Sequence, residues 1–163
     1  MRAALVLVAL STAAPAAAQT GRADDVGLTM DGGVLTVIYG QVCGPFSCQP
    51  LPGGTIGRGQ PRTLVHYAAP VTPFAIAAGL PGPCTPLGGF ANALLLGPPV
   101  ITLAVGVTST PPILTTPCDQ GLGVTTVRVP STAPAGLVLR FQSVGVSKSG
   151  VLALGPAIET RIG

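Results

Sequence analysis

Charge is the scarcest commodity in this 163-residue chain. Only 8% of its residues are Asp, Glu, Lys or Arg, against about 25% in soluble domains generally. Between Arg62 and Asp119 the ionisable side chains are His66, Tyr67, Cys84 and Cys118 alone. The formal net charge of +3 and the pI of about 8.9 therefore reflect few acids, not a basic surface. Phosphate recognition needs clustered cations. Here only Arg58 and Arg62 stand close together, so nucleic acid is excluded as a partner.

Aromatics are few as well: no Trp, two Tyr and four Phe. A membrane β-barrel marks its two interfaces with aromatic girdles, and these residues do not flank strands in that way. A single histidine, His66, leaves little room for acid–base chemistry. It sits between Val65 and Tyr67 in an apparent strand, and no G-x-S-x-G elbow occurs to serve a Ser-His-Asp arrangement. Ser147-Lys148-Ser149 lacks the S-x-x-K spacing, since Gly145 stands where the serine would be. It reads as a turn. The acids Asp24, Asp25, Asp31, Asp119 and Glu159 form no pair suited to glycoside hydrolysis and no dense oxygen cluster for calcium. Gly53, Gly54, Gly57 and Gly59 lack the lysine and following helix of a phosphate loop. No catalytic residue, cofactor or metal ligand is assigned.

Long apolar runs free of Gly and Pro are confined to the start. Met1-Arg2 is followed by the apolar stretch Leu5 to Leu10 and by small residues through Ala18. Ala16-Ala17-Ala18 before Gln19 fits the small-x-small pattern of signal peptidase, so residues 1–18 are expected to be a cleaved signal peptide. Residues 19–163 are expected to form one secreted or periplasmic domain. The uncharged window Leu87 to Val107 is long enough to span a bilayer. Gly97-Pro98-Pro99 in its middle would break such a helix, and two strands with a turn are expected instead. No membrane span is expected after cleavage.

Against these shortages stand 23 glycines, 18 prolines and 47% hydrophobic residues. Disorder needs low hydrophobicity and high charge, the reverse of this composition. Short apolar strands with many turns explain it. Period-2 alternation recurs: Phe74, Ile76 and Ala78; Phe90, Asn92, Leu94 and Leu96; Ile101, Leu103, Val105 and Val107; Thr125, Val127 and Val129; Leu137, Leu139 and Phe141; Ile158, Thr160 and Ile162. Val34 to Tyr39 and Thr63 to Tyr67 are further strands, the first after an Asp31-Gly32-Gly33 turn signal. Arg128, Arg140, Glu159 and Arg161 fall opposite the apolar faces, as when one face of a sheet meets water. Prolines sit between the runs, at strand ends where they are tolerated. The expected fold is all-β, an antiparallel β-sandwich of short strands.

Four cysteines in an exported chain favour disulfides. Cys43 with Cys48 and Cys84 with Cys118 is the favoured pairing of three. The first would staple the Gly/Pro-rich segment 41–62 into a loop. Close C-x2-C pairs for zinc are missing. If the loop is functional, Phe46, Arg58 and Arg62 are its candidate ligand residues, and an exposed Phe46 could stack on a sugar.

The stretch from about Pro73 to the end resembles a β-rich C-terminal module of secreted planctomycete-type bacterial proteins. The resemblance is carried by Ala93-Leu94-Leu95-Leu96-Gly97, Pro117-Cys118-Asp119 and Thr126-Val127-Arg128-Val129-Pro130. It continues through Ala133-Pro134-Ala135-Gly136, Leu137-Val138-Leu139-Arg140-Phe141-Gln142 and the closing Ala157-Ile158-Glu159-Thr160-Arg161-Ile162-Gly163. The chain departs from that pattern at Ser143 to Gly150 and at Gly155-Pro156, in the last hairpin. The resemblance implies export and a β-sandwich, and it supplies no catalytic residues. The sequence thus reads as a secreted non-enzymatic structural or interaction module of the cell envelope or extracellular space. Its expected partners are itself, another envelope protein or a glycan. A carbohydrate-binding module is the alternative, and a secreted hydrolase comes third.

Overall fold

The computed structural model describes residues 23–31, 39–110, 118 and 120–163. The expected signal peptide, Gly32 and Gly33 of the expected turn and most of the Val34–Tyr39 strand lie outside them. Among the described residues there is no helix, and ten strands form two sheets. The first sheet runs β2 (Tyr39–Gln41), β1 (Gly27–Met30), β4 (Pro61–Ala68), β7 (Gly121–Arg128), all antiparallel. The second runs β3 (Leu51–Ile56), β10 (Ile158–Ile162), β8 (Val138–Val146), β5 (Pro73–Pro86), β6 (Ala93–Val107), and β9 (Leu152–Leu154) pairs with β8. One pairing, β3 with β10, is parallel. The all-β sandwich expected from the alternation is the fold observed.

The alternating residues face each other between the sheets. Leu28, Met30 and Leu64 of the first sheet meet Ile76, Phe141, Ile158 and Ile162 of the second in one cluster. β4 is one of the two interior strands of its sheet, and residues 64–68 are buried on both faces. That explains how His66 and Tyr67 come to be buried side by side. His66 stacks on Phe74 with ring centroids 4.9 Å apart. Three glycines make room for this pair. A Cβ on Gly106 or Gly123 would strike the Phe74 ring, and one on Gly145 would strike His66.

The β5–β6 hairpin is longer than the sandwich needs. Past Gly79 and Gly97 it runs on over the outer face of β8, where three polar side chains anchor it. Arg140 donates to the carbonyls of Gly82 (2.7 Å) and Leu95 (3.0 Å), and ion-pairs with Glu159 at 2.8 Å. Gln142 accepts from the Leu95 amide and donates to Ala93 and Gly155. Asn92 donates to Ala23 and Leu154. Arg140 does lie opposite the apolar face, as its alternation predicts. The hairpin covers it, so its side chain is only 14% exposed.

The expected local staple is corrected. The disulfides are Cys43–Cys118 and Cys48–Cys84. Segment 41–62 is not one loop either: it contains β3 and the first residues of β4. Two cysteines four residues apart in the intervening sequence looked like partners, but the chain between them serves as a hub. One cysteine binds it to the end of the β6–β7 connection and the other to the hairpin. Gln120 adds non-covalent ties, donating to the carbonyls of Asp25 and of Val42.

Three outcomes test this packing. Gly123→Ala should cost about 1–3 kcal/mol by forcing the Phe74 ring aside, read by urea unfolding. Non-reducing digestion should recover Cys48 linked to Cys84 and no Cys43–Cys48 peptide; the reverse would contradict the hub. The third concerns His66, whose ring nitrogens lack partners. Burial lowers its pKa from 6.5 to about 3, partly opposed by the nearby Gly27 backbone, which makes no well-formed hydrogen bond to it. The unfolded chain takes up a proton below pH 6.5 that the folded one refuses. Stability from this group is thus complete above 6.5 and lost as pH falls towards 3. Between pH 7 and pH 4 the protein should lose about 3 kcal/mol more than a His66→Leu variant. An equal loss would contradict the buried neutral ring.

Candidate functional site

The Phe74–His66 pair fills the space between the sheets at one end of the β6 and β7 edges. There the chain leaving β6 crosses to the other sheet, and the Ser109 amide donates to Leu122 at 2.8 Å. Towards the other end Phe141 has no such ring stacked on it among the described residues. β6 and β7 are the terminal strands of their sheets on this side, and between them opens a cleft of about 340 Å³.

Its walls follow from register. Residues opposite one another in an antiparallel pair share a face. Phe74 pairs with Gly106 and Ile76 with Ala104, but Ala77 pairs with Thr102, so one extra residue, Leu103, is inserted in β6. Such a bulge reverses the alternation beyond it. Ile101, opposite the core residue Ala78, therefore faces the space between the sheets, while Val105 and Val107 face outward. The simple alternation that put Ile101, Leu103, Val105 and Val107 on one face is corrected by this bulge. Ile101 is 60% exposed although it faces inward, because β7 ends at Arg128 and the chain turns away at Pro130. Leu103, Leu139 and Phe141 line the cleft on one side, and Val127, Val129 and Ala133 on the other. The lining includes one ionisable residue, Arg128.

The edge beside the cleft is equally apolar. Val100, Ile101, Val105 and Val107 of β6 are four of the eight large hydrophobics that are exposed among the described residues. β6 pairs with β5 alone among those residues, over 15 residues without an ionisable side chain. Edge strands are usually blunted by lysines, inward charges or short length. Pro98, Pro99 and the bulge are the only such devices here.

The residues singled out in segment 41–62 do not gather at this cleft. Phe46 is half-buried. Arg62 is held by Asp31 at 2.6 Å and donates to the Thr55 carbonyl at 3.3 Å. Arg58 is in the β3–β4 turn and donates to the Gly163 carbonyl at 3.1 Å. A shallower depression of about 320 Å³ lies over β3 and β10, bounded by Pro50–Gly54, Val138 and residues 159–161. Its Glu159 is engaged by Arg140. The chemical candidates have structural work. His66 is fully buried, and the Ser147 hydroxyl is 2.7 Å from that of Ser149 in the β8–β9 turn and accepts from the Val151 amide. Among the described residues no group of three His, Cys, Asp or Glu could hold a metal ion, and no helix is long and apolar enough to cross a membrane.

The cleft was not found from sequence. The Leu137, Leu139, Phe141 alternation marks its floor as core, and nothing local says that the opposite strand stops short. The uncharged run through β6 was the one signal available.

No protein-family model and no curated protein matches the chain. A solved structure titled a chitin binding domain from Burkholderia pseudomallei is similar to it, with a TM-score of 0.37 and 15% identity over 68% of this chain. The chain spans 56% of that protein's length.

Proposed function

We propose that residues 19–163 are a secreted, non-enzymatic interaction module of the cell envelope or extracellular space, docking a partner along the β6 edge and its cleft. The observation that carries this reading is the coincidence of two features: a long uncharged edge strand with exposed valines and an apolar cleft opening directly beside it. Monomeric soluble proteins seldom leave contiguous apolar surface open without a use. Two disulfides fit an extracellular or periplasmic site, and the leader-like residues 1–18 support export. The non-enzymatic part is supported by the burial of His66 and by the ion pairs that engage Asp31 and Glu159. A glycan has less to recommend it here. The apolar cleft offers sugar hydroxyls almost no polar partners, and Phe46, the aromatic expected to be open for stacking, is half-buried.

A photo-activatable cross-linking residue placed at Val105, and at Val151 as a control, tests this in producing cells. Adducts are expected from Val105 in the envelope or medium fraction and not from Val151. Equal yields at both sites, or none at Val105, would contradict docking at this edge.

A further inference from the structure

Resting on that reading, we infer that the partner is a second copy of this chain, paired antiparallel along its own β6. Three observations converge on this occupant. First, among the described residues the 100–107 edge of β6 has no strand on its outer side, and an apolar gap lies beside it. A polypeptide strand satisfies both, since its backbone extends the sheet while alternate side chains enter the cleft. An acyl chain would fill the cleft and leave the edge to water.

Second, the strand edge itself is free of charge in a way that suits a copy of itself, and the one ionisable residue of the cleft lining, Arg128, stands at the end of β7 in the other sheet. No residue of β5 or β6 carries a charge, and the ionisable groups of residues 63–110 are the buried His66 and Tyr67 and the disulfide-bonded Cys84. Two identical edges therefore meet without like-charge repulsion, the usual guard against self-association. A charged partner would find no counter-charge on the strand.

Third, the geometry closes. A twofold axis normal to the sheet makes the contact identical from both sides and relates two β6 strands antiparallel. It also keeps the core-facing side of both copies on one side of the extended sheet. The two clefts, each lying between β6 and β7, then meet across the axis and cover one another. Ile101, inward-facing yet 60% exposed, becomes buried in a shared core, while the valines at 105 and 107 join across the outer face.

The test is sedimentation velocity on the oxidised protein purified from a secreting host, over about a hundredfold range of concentration. The unaltered protein should shift from monomer to a species of twice the mass as concentration rises. Val105→Lys places a like charge on each side of the axis and should move that transition at least tenfold higher. Val151→Lys, at an exposed turn away from the edge, should leave it unchanged. If Val105→Lys does not fold, Val107→Lys reads the same surface. A monomer at every concentration, or a dimer weakened equally by the edge and turn variants, would overturn self-pairing. A strict monomer that still forms Val105 adducts with another protein would overturn self-pairing and leave the interaction module standing.

Discussion

The stack of His66 on Phe74 sets how the two sheets meet. It brings a ring from each sheet into the plane between them, and it is possible only because β6, β7 and β8 present glycine at 106, 123 and 145. The rings close the sandwich where the chain crosses from β6 to β7. Further along, Phe141 lines the gap with no second ring against it among the described residues, β7 ends at Arg128, and the cleft opens. A sandwich closed at one end and open at the other holds both the buried neutral histidine and the exposed inward-facing Ile101.

A sandwich open along one end needs its longest strands held from elsewhere. The β5–β6 hairpin is secured from behind by Arg140, Gln142 and Asn92, each satisfying backbone groups that lie outside regular pairing. Cys48–Cys84 ties it covalently to the segment before β3, and Cys43–Cys118 ties that segment to the start of β7. Loops closed by such bonds, of sequence separation 36 and 75, stabilise by about 3–5 kcal/mol each in the chain-entropy model. Anchorage on one side leaves the other edge of β6 without a neighbouring strand among the described residues, which is what strand docking requires.

Much of the sandwich was legible because a period of two is a direct consequence of strand geometry. Phe74, Ile76, Ala78, Phe141, Ile158 and Ile162 are core residues as their alternation implies. What alternation cannot register is an inserted residue. Leu103 reverses the faces of β6 without any Gly or Pro beside it to announce the change. The disulfide pairing was illegible for a similar reason: sequence proximity favoured Cys43 with Cys48, whereas the fold carries one to the β6–β7 connection and the other to β5. Arg62 was legible as a lone cation near Arg58, but its use by Asp31 depends on β1 lying beside β4. The candidate site is a property of where two sheets end, and only its lack of charge was written locally.

The most direct test of this account is hydrogen exchange along β6 at several protein concentrations. In dilute protein the outward-pointing amides of residues 100–107 should exchange quickly, while those bonded to β5 and the amides of β8 stay protected. On concentrating, protection should appear on β6 and leave the β8–β9 turn unchanged. Uniform slow exchange across β6 in dilute protein, or protection that never changes with concentration, would contradict an open edge awaiting a strand.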